Sequence, residues 1–470
     1  MLDIILQIIL VLLVFVVFTH FISKRKNVKT YWHILSMVRS KRFVPLLDNF
    51  VVFKKALSFF ATLGLISGFG IIAIDFLYAR KAKTKLKRIA ILAFSFLVLY
   101  LLFYFLVSAM FENPLTNSPK ELMSAFFALG GFALVTLYFL ADHAWYVVSR
   151  ILTGQKSCAG VAPVIPGVQL PNVPIIVPLY AWIPLFFILI IHEGFHGILA
   201  RRHKIPIKSA GVLLFGLLPV GAFVEPDDKE LKKASERKKL EVFSAGPTSN
   251  LISALLLLLF LSIILVPVMA PLTDNITNIK KQSITELQMG DVDQNITFCN
   301  QVFDSSAYSV MKKGMILEKV NGVDVNIYED VAEQLSKTWK KPTEFELLDK
   351  NTGEITKITL QSNELGKFGF DVNEILDPSY KFPENYELVL FLRSLFYGIL
   401  LWFFMLSLAA GMLNFMPIEP FDGGKIAKIM FMPYLGFMKK TRKEKELWIQ
   451  GFLWKIFLIL LFLNVLPMFL

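Results

Sequence analysis

Cysteine is almost absent from this sequence, which has only two in 470 residues. This scarcity excludes a disulfide-rich scaffold and a zinc ribbon built from cysteine ligands. Charge is also scarce, since 18% of the residues are charged, against about 25% in an average soluble domain. Because 55% of the residues are apolar, the chain is neither disordered nor a coiled coil, and it is predicted to be a polytopic α-helical membrane protein.

The formal net charge of +12 does not indicate a nucleic-acid-binding protein. Lysine and arginine lie in short clusters at the ends of apolar runs, where lipid headgroups and the positive-inside bias account for them. The lipid bilayer is therefore the expected partner of these charges, and no nucleic acid is expected.

Long apolar runs dominate what the sequence does contain. Eight of them are long enough to span a bilayer, approximately residues 2–22, 56–78, 89–111, 123–148, 175–200, 240–270, 386–415 and 447–469. A shorter apolar piece, residues 210–224, is interrupted by glycines and a proline. Such backbone is tolerated at membrane depth only where protein buries it or where it lines a wet cavity, so we expect a re-entrant hairpin there.

Residues 273–385 differ from the rest of the chain because they are polar. Short alternating segments, such as 345–348 and 355–360, are separated by turn residues. We expect a soluble α+β domain inserted between two spans. The predicted organisation is an N-terminal transmembrane region (1–150), the first half of a catalytic core (151–272), the insert (273–385) and the second half of the core (386–470).

The basic clusters predict the topology. Residues 201–204, 232–239 and 439–445 fall on one side if the spans alternate, and that side is expected to be the cytoplasm. The insert is then extracytoplasmic. The basic residues between 80 and 88 are an exception: either the second span is not a full crossing or the bias fails there. Cys158 and Cys299 both fall outside, where a disulfide can form, but we expect two free buried thiols.

The segment His192-Glu193-Gly194-Phe195-His196 carries the strongest chemical signal. Histidines at i and i+4 share one helix face, as two zinc ligands must, and the intervening glutamate can take a proton from a water bound beside them. His192 precedes Arg201 by nine residues, which places it about 13 Å inside the apolar run. Ionisable groups at that depth are costly, so a functional site is favoured over a polar cluster that only joins helices.

A catalytic zinc site needs a third protein ligand. The chain has six histidines, and the other four lie in the N-terminal third or beyond the end of this helix. A carboxylate is therefore expected, and Asp422 is the candidate because the two prolines before it and the two glycines after it break the helix there. Two alternatives stay open: Asp422 could cap the following helix, and the nearby Glu419 could compete as a ligand.

Three motifs in this order resemble those of the site-2 proteases, a family of intramembrane zinc metalloproteases. They are HEGFHG from His192, SAGPTSN from Ser244 and NFMPIEPFDGG from Asn414. The resemblance covers about residues 175–470 and implies that His192, His196 and Asp422 bind Zn²⁺ and that Glu193 is the general base.

The same resemblance places two asparagines near the active site. Asn250 and Asn414 match asparagines of the family motifs, so contact with the substrate or the transition state is expected of them. Hydrogen bonding between helices is an equally open role for both residues. The hairpin could offer a strand edge to an unwound substrate, because a helical substrate hides its peptide bonds.

The insert resembles a PDZ domain, a module that this family often carries. Residues 311–323 look like its strand–turn unit, and residues 365–370 could form its closing strand. A domain of this kind would bind an extended peptide C-terminus by strand addition or act as a size filter, and a degenerate spacer is the alternative.

The predicted activity is hydrolysis of peptide bonds within transmembrane segments. By the resemblance, the substrates are membrane proteins with a single transmembrane helix that have already been trimmed on the outer side, as in regulated intramembrane proteolysis. The active site is expected towards the cytoplasmic side. Two other classes stay open: a non-catalytic membrane scaffold that presents a peptide-binding domain, and a membrane zinc protease of the prenyl-protein type.

Overall fold

The computed structural model describes residues 2–42, 44–110, 119–299 and 301–470. The N-terminal region consists mainly of helices, which are α1 (Leu2–Ser23), α2 (Val44–Phe50), α3 (Lys54–Leu77), α4 (Lys85–Met110) and α5 (Lys120–Leu152). The helices that follow are α6 (Trp182–Arg202), α7 (Asp228–Lys233), α8 (Glu236–Leu259), α9 (Val266–Ser283), α10 (Tyr328–Ser336), α11 (Tyr386–Asn414), α12 (Asp422–Phe431) and α13 (Arg442–Val465).

Seven helices in the described parts of the chain are long and apolar enough to cross a membrane. They correspond to the second through eighth predicted spans. The first predicted span, residues 2–22, coincides with α1, whose described apolar part is Leu13–Ser23. The predicted end of the third span, Phe111, lies outside the described residues.

The predicted spans 56–78 and 123–148 are not single straight helices. Helix α3 is broken at Gly70 and α5 is broken at Gly131, and both glycines have a positive φ (56° and 60°). The rings of Phe126 and Tyr138 lie 4.7 Å apart, whereas twelve residues of continuous helix would separate them by about 18 Å along the axis. Helix α5 therefore folds back on itself, and apolar content alone does not reveal such a break.

The beginning of α3 lies beside the beginning of α8. Arg202, at the end of α6, donates to the Lys54 carbonyl oxygen (3.0 Å) and pairs with Glu241 (3.0 Å). Farther along, Ser244 donates to the Ala61 carbonyl oxygen (3.3 Å). The first half of α3 thus runs along α8 in the same direction.

The end of α3 returns to that same side. The Tyr434 hydroxyl donates to Asp75 (2.6 Å), and shortly after Tyr434 the chain enters α13, where Arg442 pairs with Glu236 at the start of α8 (2.9 Å). The non-helical residues 436–441 are too few to cross about 30 Å of hydrocarbon. Helix α3 therefore begins and ends near the start of α8, and the basic residues 80–88 lie towards the same end of the helices as the basic residues 232–239.

A β-hairpin is present around the predicted residues 210–224. Strands β3 (Ile207–Phe215) and β4 (Leu218–Pro226) pair antiparallel around a turn at Gly216, which has φ 56°. Two N-terminal strands, β1 (Val28–Tyr31) and β2 (Leu35–Ser40), extend the sheet in the order β1-β2-β3-β4. Strand β4 is therefore the terminal strand of the described sheet.

The polar segment is a mixed α+β unit with its own buried apolar cluster. Its strands are β5 (Ile284–Val292), β6 (Asn295–Phe298), β7 (Gln301–Asp304), β8 (Ile316–Val320), β9 (Val323–Asp324), β10 (Pro342–Leu348), β11 (Ile355–Gln361) and β12 (Phe370–Leu376). The main sheet has the order β11-β10-β8-β5-β12, and β9 pairs with β8.

The first and last strands show where the sheet of this unit lies in the chain. Its first strand begins at Ile284, after α9, whose end is held to the unit by ion pairs from Lys280 to Glu329 and Glu374. The last strand begins at Phe370, after a turn with positive-φ glycines, so the expected closing strand at 365–370 was placed too early.

A disulfide joins Cys158 to Cys299, so the expectation of two free thiols was wrong. The bond links the segment after α5 to the β6–β7 hairpin across a sequence separation of 141 residues. A pairing over such a distance depends on the tertiary fold, which the spacing of two lone cysteines does not reveal.

Candidate metal centre

Two imidazoles face each other on α6. The rings of His192 and His196 lie 4.9 Å apart, and their Nε2 atoms are separated by 3.2 Å. One helical turn separates the two residues, so their side chains project from the same face. Both imidazoles are therefore available to one ion.

Asp422 reaches this pair from the first residue of α12. Its Oδ2 lies 2.9 Å from His196 Nε2 and 3.2 Å from His192 Nε2, and the residue is 6% exposed. The N-cap position of α12 is Phe421, and the Asp422 carboxylate is directed to the histidines. The break after α11 allows this approach, because the chain folds back so closely that a Cβ on Gly423 would lie 2.1 Å from the Phe415 carbonyl oxygen.

These three residues fit a zinc ion. One nitrogen or oxygen atom from each lies within 4.8 Å of the others. Tetrahedral bonds of about 2.0–2.1 Å would separate neighbouring ligand atoms by about 3.3 Å, close to the observed 2.9–3.2 Å. Two imidazoles and one carboxylate also form a ligand set that catalytic zinc uses, with a fourth position open for water.

The outer nitrogen of each histidine is held by α8. His196 Nδ1 lies 2.7 Å from the Val242 carbonyl oxygen, to which it donates. His192 Nδ1 lies 3.0 Å from the Asn250 amide, and Asn250 is buried, with its Oδ1 lacking a hydrogen-bond partner in the described structure. Rotating that amide by half a turn brings Oδ1 to the Nδ1–H of the metal-binding tautomer, so that Oδ1 accepts a hydrogen bond from His192. Asn250 is thus placed to orient His192.

Asn414 is placed differently. At the end of α11, its amide nitrogen donates to the Ala410 carbonyl oxygen of its own helix (2.9 Å). The two asparagines of the sequence motifs therefore have distinct surroundings, and only Asn250 has a hydrogen bond to one of the three metal-binding candidates among the described contacts.

Gly246 is a site residue that the sequence analysis did not single out. A Cβ at this position would lie 2.4 Å from His196 Nε2 and 2.5 Å from His192 Nε2, on the side of the imidazoles that faces Asp422. Any side chain would therefore occupy the space needed by the ion. The signal in the sequence was the Gly-Pro step inside an otherwise helical SAGPTSN segment, which is unusual enough to require a packing reason.

Glu193 lies between the ion site and the sheet. The backbone N–H of Val224 on β4 donates to Glu193 Oε2 (3.1 Å). Glu193, His196 and Asp422 all line a cavity of about 820 Å³, which Val224 also borders. The general-base candidate, two ligand candidates and the terminal strand thus share one space.

Charged residues surround the rest of this cavity. The basic ones include Lys232, Lys239, Lys425, Lys428 and Arg442. Lys425 Nζ lies 2.9 Å from Asp422 Oδ1, the oxygen that does not face the histidines. This contact leaves Oδ2 as the ligand atom and holds the carboxylate in a fixed orientation.

The Glu419 carboxylate accepts hydrogen bonds from residues other than the histidines. Its Oε1 accepts from Lys428 (2.7 Å) and its Oε2 accepts from Gln450 (2.6 Å). Competition with Asp422 for the ion, which the sequence left open, receives no support from this arrangement.

A buried ionic cluster holds the ends of α6 and α8 together near the site. Glu241, which is 3% exposed, accepts from Arg202 (3.0 Å) and His203 (2.9 Å). Asp48 on α2 lies outside the candidate spans, and its bond from Arg201 lowers the pKa of the Asp48 carboxyl. Because Val242 follows Glu241 directly, the cluster fixes the carbonyl that orients His196.

Comparison with known proteins identifies the family. Peptidase family M50 matches residues 180–463, which is more than half of the chain. An uncharacterized protein of Methanocaldococcus jannaschii is 29% identical over 246 residues. That alignment covers 52% of this chain and 55% of the relative, so it spans about half the length of that protein. The matched region contains the ligand candidates on α6 and α12 together with α8 between them, and the chain belongs to peptidase family M50, the site-2 protease family.

Proposed function

We propose that this protein is an intramembrane zinc metalloprotease that hydrolyses peptide bonds within transmembrane segments. The proposal rests on one observation. His192, Glu193 and His196 lie on an otherwise apolar helix, and Asp422 of α12 meets the two histidines there. Ion-binding groups within an apolar helix are costly unless they serve a function.

The residues of the site have separable roles in this reaction. Zinc at the site supplies Lewis-acid activation of water near neutral pH. The Glu193 carboxylate takes a proton from the attacking water and returns it to the leaving amine. Its hydrogen bond from Val224 fixes one carboxylate oxygen, which leaves the other free for that transfer.

Strand β4 supports the binding of an unwound substrate. Because β4 is the terminal strand of the described sheet and borders the cavity, an extended substrate segment can pair with it beside Glu193. We propose that the substrates are single-span membrane proteins that have been trimmed beforehand. The short extracytoplasmic part left after trimming would be small enough not to be excluded by the insert.

We further propose that the cavity faces the cytoplasm and the insert faces the opposite side. The basic residues at the cavity support the first assignment, and the Cys158–Cys299 disulfide supports the second, because disulfides persist in oxidising compartments. In this proposal the insert is PDZ-like and binds a peptide C-terminus or excludes large substrates.

The test uses the purified full chain in liposomes with synthetic single-span peptides that carry a helix-weakening Gly-Pro pair. Glu193→Gln is expected to retain zinc by metal analysis and to lose cleavage by about 10²–10⁴-fold, whereas His192→Ala and Asp422→Ala are expected to lose zinc. Mass spectrometry of the products locates the cut.

Undiminished turnover by Glu193→Gln would remove this residue as the base. Cleavage confined to residues outside the apolar segment would contradict intramembrane proteolysis. A zinc-loaded wild-type protein that cleaves none of a panel of such peptides would favour the non-catalytic scaffold.

A further inference from the structure

An apolar groove of about 360 Å³ lies outside the metal centre, between the returning half of α3, the turn after α12 and α13. The residues that line it include Ile72, Tyr434, Leu435, Trp448, Phe452 and Leu453. The rings of Trp448 and Phe452 are parallel, with centroids 5.4 Å apart, and the residues are 40% and 50% exposed. The groove is therefore open, and two of its walls, α3 and α13, are helices long and apolar enough to cross a membrane.

One end of the groove carries positive charge. The Arg80 guanidinium lies 5.1 Å from the centroid of the Tyr434 ring, which lines the groove. Arg88 makes two hydrogen bonds to Asp75 (2.7 and 2.6 Å), and Arg80 lies 3.6 Å from the same carboxylate. The single Asp75 carboxylate is thus the shared ion-pair partner of Arg80 and Arg88, and both arginine side chains are partly exposed.

The sequence around these arginines adds to the imbalance of charge. Four lysines lie between Arg80 and Arg88, and no acidic residue does. The segment connects two apolar helices, so it lies at the level of the lipid headgroups. An occupant that matches the whole feature has an apolar chain and a negatively charged head.

We propose that this groove binds an anionic phospholipid, with an acyl chain against Trp448 and Phe452 and the phosphate beside Arg80 and Arg88. A zwitterionic phospholipid offers the same chain, but its cationic headgroup opposes the two guanidinium groups. Basic residues near a membrane surface favour anionic lipids, and here they adjoin a groove that can hold one chain. The site is separate from the metal centre and does not depend on the proposed protease activity.

The test measures quenching of Trp448 fluorescence by brominated lipids in the full chain. Brominated phosphatidylglycerol or brominated phosphatidylcholine is added at equal mole fraction to unbrominated phosphatidylcholine liposomes. Because the chain has seven tryptophans, the signal of Trp448 is taken as the difference between the wild type and Trp448→Phe. We expect stronger quenching by the anionic lipid at low mole fraction.

The preference is expected to fall about fivefold in Arg80→Gln. Arg80 is chosen because Arg88 holds the closer ion pair with Asp75, and equal thermal stability of the variant verifies folding. Lys120→Gln, at the start of α5 and not in the groove lining, is the control and should leave the preference unchanged.

Equal quenching by the two lipids in the wild type would overturn the proposal. So would an anionic preference that survives both Arg80→Gln and the double variant Arg80→Gln/Arg88→Gln. Absence of quenching by either lipid would mean that protein, such as a second copy of the chain, covers the groove, and this result would also overturn it.

Discussion

The N-terminal helices and the catalytic helices both depend on glycine, but for different physical reasons. In the N-terminal region, Gly70 and Gly131 allow a backbone conformation that side chains rarely adopt. In the catalytic region, Gly246 lies within the regular helix α8 and leaves room for an ion. The first use determines how helices cross, and the second determines what the site can hold.

The two glycines of the N-terminal region lie against each other's helices. A Cβ on Gly131 would lie 2.2 Å from the Ser67 carbonyl oxygen on α3, and one on Gly70 would lie 2.5 Å from the Ala128 carbonyl oxygen on α5. The broken points of α3 and α5 thus cross at backbone contact distance. Because α3 also packs on α8, with Gly64 against Thr248, a region outside the family match supports the helix that orients both histidines.

The largest expected effect comes from the crossing. Gly131→Ala places a side chain on the α3 backbone and strains a positive φ, so the free energy of unfolding should fall by about 3 kcal/mol or more. Thermal unfolding in detergent measures the change. Gly451→Ala on α13, where a Cβ would meet nothing within 4 Å, is the matched control. An unchanged midpoint for Gly131→Ala would contradict the crossing.

The second-largest expected effect is on zinc affinity, and it tests whether Gly246 is needed for the ion rather than for the stability of the fold. Gly246→Ala should retain the fold but reduce zinc affinity by more than about 100-fold, the upper end of what loss of a histidine-orienting group costs, because the new methyl group lies against both Nε2 atoms. Competition with a chromophoric chelator measures the affinity. Gly194→Ala is the control, since a Cβ there, between the two histidines on the same helix, meets nothing within 4 Å. Full zinc affinity in Gly246→Ala would refute this role.

A smaller effect is expected from the asparagine behind His192. Asn250→Ala removes the partner of His192 Nδ1 and should reduce zinc affinity about 10–100-fold, the usual range for groups that orient a metal-binding histidine. Asn414→Ala, which loses only a bond within its own helix, should leave the affinity unchanged. Equal losses in the two variants would show that the motif asparagines do not differ as the structure indicates.

The smallest effect concerns the lysine beside Asp422. Lys425→Gln keeps a donor near Asp422 Oδ1 but removes the charge, so we expect zinc dissociation to accelerate by less than about tenfold. Lys428→Gln, whose partner is Glu419, is the control. If zinc dissociated from Lys425→Gln at the wild-type rate, the orientation of the Asp422 carboxylate would depend on its helix and not on Lys425.

Much of the fold could be predicted because apolar length and polar composition are local properties. The seven apolar helices of the described residues, a hairpin around 210–224 and the Asn321-Gly322 turn between β8 and β9 follow from such patterns. The breaks at Gly70 and Gly131 could not be predicted in this way. A glycine in an apolar run is compatible with a straight helix, and only contact with a second backbone requires the break.

The candidate site could likewise be predicted from the sequence only in part. The spacing of His192, Glu193 and His196 determined that two imidazoles and a carboxylate share one helix turn, because helical periodicity is a local rule. Only the tertiary structure decided that Asp422 completes the set, that Val242 and Asn250 orient the imidazoles and that Gly246 leaves space for an ion. Those relations join residues far apart in the chain, and packing between helices, rather than sequence separation, determines which of them meet.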